Sequence, residues 1–320
     1  MDHLSISYTA PLKLTSSTAS VYFPNGSFAD IVKLPGSSSY KHAMRSVDNE
    51  DYAAGPQKIT TSQKFLRALG IRDRLPPWLG GPTPFERSLS PMLRALKEAT
   101  SAYMESPPSI AQISWPIRVS QLYLDAALAA LSSLSIKADC CKHPEGIYAA
   151  YAYGTDTKCD FDSWDPEKGY PPDQLVLSVD YTRAALTVLF IDEYCGTLTE
   201  WRDMQNTSLG ADSIDLNRQE VRAEVAAAFR AITKLPLEIG NGEKLEYIDH
   251  VVFSGEFGDD SGLHEVLREV LREKYDKPVP VSVEGADRSL QPLFASSRGT
   301  AKTCWHFLGP EELRDTHPGL

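Results

Sequence analysis

Both halves of the chain run through one order of elements, strands first and then helix, strand, helix, and that repeated plan constrains the fold more than any other feature. In the first half a short strand is expected near Ile6. Ala19–Phe23 and Phe28–Leu34 are β-prone runs flanking Pro24-Asn25-Gly26-Ser27, and Asn-Gly accepts the positive φ of a tight turn, so they form a hairpin. Gly36 to Pro84 is rich in Ser, Pro and Gly and reads as an irregular insertion with one short helix near Thr61–Leu69. Ser90–Met104 has a helical apolar period, with Pro91 placed in the first turn. Ile110–Trp115 is a buried strand ended by Pro116, and Val119–Leu134 an Ala/Leu-rich helix.

The second half repeats the plan. Leu175–Asp180, Ala184–Asp192 and Gly196–Asp203 read as consecutive strands, and Asn217–Leu235 as a helix with Val221, Val225, Ala228, Phe229 and Ile232 on one face. Tyr247–Ser254 is then a strand, Gly262–Tyr275 an amphipathic helix, Val279–Val283 a strand and Pro292–Leu308 a last helix. The acidic, Gly- and Pro-containing loop Asp156–Pro172 is the expected lobe boundary, which gives domains 1–172, with the irregular 36–84 insertion, and 173–320. The fold class is α/β.

Composition narrows the function. A 320-residue chain with 42% hydrophobic and 23% charged residues is an ordinary globular protein, large enough for two cores. Its net charge of −11, with no basic patch, repels nucleic-acid phosphates and anionic lipid, so neither is an expected partner. The longest apolar runs are far short of the roughly 20 residues that span a bilayer. Met1-Asp2-His3-Leu4-Ser5 shows neither a basic nor an apolar leader region, and the expectation is a cytoplasmic protein. Five cysteines, an odd number over a long chain, fit reduced thiols better than a disulfide framework. Asp139-Cys140-Cys141-Lys142-His143 lacks the second Cys/His pair of a metal site, so no metal is expected.

Four stretches carry a family resemblance. Ile110–Pro116 followed by a helix, His143-Pro144-Glu145-Gly146-Ile147-Tyr148-Ala149-Ala150-Tyr151-Ala152-Tyr153-Gly154, Leu177–Val188, and Val251–Asp259 with Phe294–Ala301 resemble a strand-Pro-helix, an interlobe helix, a phosphate hairpin, and the adenosine loop with the closing helix of the actin-like ATPase superfamily. The chain looks closest to degenerate heat-shock-like proteins of filamentous fungi. The resemblance implies a two-lobed actin-like ATPase fold, a duplicated β-sheet with helices, around a central cleft.

Against that pattern the nucleotide elements are altered together. An Asp-x-Gly-Thr-Thr hairpin cradles phosphate and orients hydrated magnesium, and here its place reads Leu12-Lys13-Leu14-Thr15-Ser16. The second hairpin keeps Asp180 but has Tyr181, Thr182 and Arg183 for glycines. His143 stands for the acid of the interlobe helix, and Glu256 beside Phe257 for a glycine of the adenosine loop. Mg-ATP hydrolysis is therefore not expected, since phosphoryl transfer depends on these positioned parts.

Other chemistry has little footing. There is no Gly-x-Ser-x-Gly elbow, His-Glu-x-x-His or Walker loop. Ser254 follows a strand without an assignable histidine, and His250, His264 and His306 sit where solvated or packing roles dominate. What remains is a nucleotide-independent enzyme without cofactor, its cleft emptied for an apolar small molecule. A pericyclic or Diels–Alder-type cyclisation needs no acid, base or metal if the substrate is held in a near-attack conformer. The candidate catalytic residues are Tyr181 and Arg183, and the candidate substrate-binding residues Leu14, Thr15, Ser16, His143, Tyr148, Thr182, Glu256 and Phe257. The alternative is a catalytically inactive scaffold for a protein partner, though without the C-terminal β-domain of a peptide-clamping chaperone.

Overall fold

The computed structural model describes residues 7–11, 13–23, 25–45, 75–77, 81–108, 110–117, 119, 121–138, 143–156, 173–238, 244–275 and 290–315. The helix expected at Thr61–Leu69, the strand at Val279–Val283, Leu12 and the Cys140-Cys141 pair lie outside them. The chain is mixed α/β and divides into two compact units, residues 1–142 with 304–320, and residues 143–303. This differs from the expected division at 172/173. The reason is the helix Glu145–Tyr153, which packs on the strands of the second sheet and so belongs with them rather than with the chain before it.

Unit one holds strands β1 (Ser7–Pro11), β2 (Ser16–Tyr22) and β3 (Phe28–Pro35), helices α1 (Ser38–Arg45) and α2 (Pro84–Met104), then β4 (Ile110–Ser114), α3 (Gln121–Ser133) and β5 (Lys137–Ala138). The sheet order is β3-β2-β1-β4-β5. The expected hairpin joins β2 to β3, with Gly26 at φ +83 and the Asn25 Oδ1 accepting the Ser27 amide at 3.0 Å. Helix α2 starts six residues earlier than the periodicity suggests, because Thr83 caps it by accepting the Glu86 amide at 3.1 Å and Pro84 fits the first turn; Pro91 thus sits inside the helix. Phe85 of α2 meets Trp115 and Tyr123 in the buried core, at ring separations of 6.0 and 4.6 Å.

Unit two holds α4 (Glu145–Tyr153), β6 (Gln174–Tyr181), β7 (Leu186–Tyr194), β8 (Thr197–Asn206), α5 (Gln219–Ile232), the short pair β9 (Leu237–Glu238) and β10 (Lys244–Leu245), β11 (His250–Ser254), α6 (Ser261–Arg272) and the start of α7 (Pro292–Asp315). Its main sheet runs β11-β6-β7-β8. In each unit a three-stranded antiparallel meander takes a parallel strand beside its first member, β4 on β1 and β11 on β6. The repeated plan read in the sequence is therefore a repeated topology.

Strand alternation sorts the second sheet into two faces. Leu175, Leu177, Val179 and Tyr181 pack with Val225, Phe229, Leu263, Val266 and Leu267 of α5 and α6. Val176, Leu189, Ile191 and Val252 pack with Ile147, Ala149, Ala150 and Ala295 of α4 and α7. The second face is built on close approach: a Cβ at Gly299 of α7 would lie 1.7 Å from the Tyr148 carbonyl oxygen of α4.

The β7–β8 turn corrects the thiol expectation. Cys195, at φ +50 beside Gly196, is disulfide-bonded, with its partner outside the described residues; Cys304 is not. An odd count leaves one thiol over without forbidding a pair, so parity could not decide the matter.

Candidate functional site

The candidate residues fall into three groups. Leu14, Thr15 and Ser16 lie in unit one, in the corner between β1 and β2. That corner is filled from inside its own unit. The Tyr40 hydroxyl of α1 donates to the carbonyls of Lys13 at 2.9 Å and Ser16 at 3.3 Å, and the Gly36 amide donates to the Thr15 carbonyl at 2.8 Å. Leu14 and Ser16 are buried. In unit two, His143 and Tyr148 form a second group at the start of α4, where the His143 amide donates to the Tyr148 hydroxyl at 3.2 Å.

The third group, Tyr181, Thr182, Arg183, Glu256 and Phe257, comes together where the β6–β7 hairpin meets the loop after β11. Thr182 closes the hairpin: its amide donates to the Ala185 carbonyl at 3.0 Å, and its Oγ1 accepts the Ala185 amide at 3.2 Å. Outward, the Thr182 and Arg183 carbonyls accept the amides of Ala211 and Asp212 at 2.9 and 3.0 Å. The amides of Thr182 and Ala185 and the carbonyls of Thr182 and Arg183 are thus tied within the protein.

Arg183 does the same for charge. Its Nε lies 3.1 Å from Glu256 Oε2 and its Nη1 3.1 Å from Asp212 Oδ1, while Cζ stands 5.5 Å from the centroid of the Phe257 ring. The Glu256 side chain is only 6% exposed against 53% for Arg183. Behind them the Phe257 amide donates to the Tyr181 carbonyl at 3.0 Å, and Gly255 holds φ +98, where a Cβ would come within 2.3 Å of that same oxygen. Glycine is required there for both backbone conformation and space. Asp180, the acid kept from the hairpin pattern, is buried and accepts the Ser254 Oγ hydrogen bond at 3.0 Å. This explains Ser254 as a packing hydroxyl.

Beside this lock unit two holds a cavity of about 610 Å³. Two of the ten candidates line it, Tyr181 and Phe257; the rest of the wall comes from the 211–217 loop, Arg222 of α5 and the start of α6. The lining is amphipathic. Ala211, Ile214 and Leu216 join the two aromatic rings, and Asp215, Asn217, Asp260 and Glu265 supply the polar part. Tyr181 is 2% exposed, and burial, helped by the charge of Asp260, pushes its hydroxyl up to about 12. It stays protonated at neutral pH and is a hydrogen-bond donor.

No protein-family model matches the chain, and no curated protein matches it. The site therefore stands on its own geometry. Among the described residues no group of three or more His, Cys, Asp or Glu is placed to hold a metal ion, and no helix is long and apolar enough to cross a membrane. The sequence reading missed Arg222, Asp215, Asp260 and Glu265. For Asp260 a signal existed, since Asp-Ser-Gly before an apolar-periodic run marks a helix start.

Proposed function

We propose that the protein is a nucleotide-independent small-molecule enzyme on a degenerate actin-like ATPase fold. The single observation that carries the proposal is the sealed β6–β7 hairpin. The amides of Thr182 and Ala185 bond within the hairpin, and Arg183 is neutralised by Asp212 and Glu256, so the place where phosphates would sit presents a buried carboxylate instead. The repeated meander-plus-parallel-strand topology supports the family reading, as do the motif positions. Arg183, exposed and ion-paired, is not among the residues lining the cavity, which leaves Tyr181 as the candidate for chemistry.

In its finest form the reading is a secondary-metabolism cyclase. The cavity folds the substrate into a near-attack conformer for a pericyclic step, and the Tyr181 hydroxyl donates to a carbonyl that gains negative character on the way to the transition state. No bond to the protein forms and no cofactor takes part. A cytoplasmic location is opposed by the Cys195 disulfide, because such bonds persist in oxidising compartments. A second reading, a protein-binding scaffold without turnover, is favoured by Tyr194 of β7 and Trp201 of β8, each 38% exposed beside the edge of the sheet.

The test is calorimetric titration of the full chain with Mg-ATP, Mg-ADP and metal-free nucleotide. No saturable heat is the expected result. Micromolar binding of any of the three overturns the proposal.

A further inference from the structure

Resting on that reading of the same cavity, we infer that its ligand is an organic cation, a protonated amine carrying an aromatic or branched apolar body. The charge of the lining is the first observation. Three carboxylates, Asp215, Asp260 and Glu265, line the cavity against one guanidinium, Arg222. That guanidinium is already engaged, 3.4 Å from Glu265 and 3.1 Å from Glu269. That pairing offsets Glu265 as well, so Asp215 and Asp260 carry the excess negative charge of the lining.

The second observation is the start of α6. A helix N-terminus attracts anions through its unsatisfied amides, and this one opens onto the cavity with Ser261 and Gly262 in the wall. Here the chain supplies the anion itself: the Asp260 Oδ1 accepts the Leu263 amide at 2.9 Å. A phosphate or carboxylate ligand would meet that side chain with like charge, whereas an ammonium group would find it attractive. No lysine or arginine among the described residues forms an ion pair with Asp260.

The third observation is Tyr181. The residue is only 2% exposed, it lines the cavity, and its hydroxyl makes no hydrogen bond to any described residue yet is not among the fully buried unpartnered groups. The hydroxyl is not sealed off, so a ligand group in the cavity can take the place of water as its partner. Its oxygen accepts from an ammonium N–H, while its ring, 6.1 Å from that of Phe257 and inclined at 64° to it, offers a π face to the same cation or to an aromatic body. Ile214 and Leu216 supply the apolar floor. At about 610 Å³ the space falls inside the usual range of roughly 300–1,000 Å³ for small-molecule sites.

The experiment is ligand-observed NMR with calorimetry on the full chain, using three probes: tryptamine, indole-3-propionate with the same ring and the opposite charge, and AMP. Tryptamine is expected to bind saturably and more weakly as salt is raised, with the acid at least about tenfold weaker. Asp260→Asn removes the charge but keeps a residue that caps equally well, and it should weaken tryptamine by about tenfold without unfolding the chain. Tyr181→Phe should weaken it severalfold with the ring retained. Binding of the acid at or above tryptamine, an Asp260→Asn affinity equal to the parent's, or silence from both indoles overturns the inference while leaving the nucleotide-independent reading in place. Saturable AMP binding overturns both.

Discussion

At the scale of single residues, the glycines separate two kinds of constraint. Gly154 ends α4 at φ +75 with nothing within 4 Å of where a methyl group would stand, so an alanine there meets backbone strain alone. Gly255 combines φ +98 with a Cβ position 2.3 Å from the Tyr181 carbonyl. We expect Gly154→Ala to cost about 1 kcal/mol and Gly255→Ala about 2 kcal/mol or more, measured by urea unfolding. Equal costs would mean that the loop after β11 yields freely and the lock is soft. From the sequence alone Gly255 could be noted as part of a loop that resembles an adenosine loop, but its carbonyl neighbour could not, because that contact depends on how β6 and β11 come into register.

At the scale of elements, the β6–β7 hairpin and the loop after β11 act as one piece through Arg183 and Glu256. Removing Arg183 leaves a carboxylate with little access to water, and removing the Glu256 charge leaves Arg183 with Asp212 and solvent. A double-mutant cycle with Arg183→Ala and Glu256→Gln should therefore show positive coupling of about 1 kcal/mol, with the arginine change the costlier of the two. Zero coupling would reduce the pair to an exposed ion pair of little weight. The strands of this region were legible because Leu175–Asp180 and the run ending at Asp192 are apolar and bounded by turn residues. The cavity was not. Its wall is an irregular loop, 211–217, whose residues have no period to read, joined to a helix start 43 positions beyond Asn217 at Asp260.

At the scale of the molecule, buried tyrosines set the alkaline limit of stability. Burial pushes Tyr153, Tyr181 and Tyr275 each up to about 12, from 10.0. Because the folded state holds these protons more tightly than the unfolded chain does, their contribution is fully present below the unfolded value of 10.0 and disappears as pH rises toward about 12. Urea midpoints taken from about pH 9 to about pH 11 should fall, with Tyr153→Phe flattening the slope. A midpoint that does not move would show that these hydroxyls ionise as they do in the unfolded chain. The repeated topology of the two sheets was readable at this scale, since strand and helix order survives without residue identity. The division at Lys142/His143 was not, because a polar loop looks like a boundary in sequence whichever unit the helix before it packs on.

The pairing of Arg183 with Glu256 also constrains how relatives of this chain can diverge. A change at 183 alone strands an acid, whereas a change at 256 alone leaves the cation to Asp212 and solvent beside Phe257, so the path that loses 183 first is the costlier. Positions 183 and 256 are expected to vary together, as a linked pair, wherever related sequences are compared.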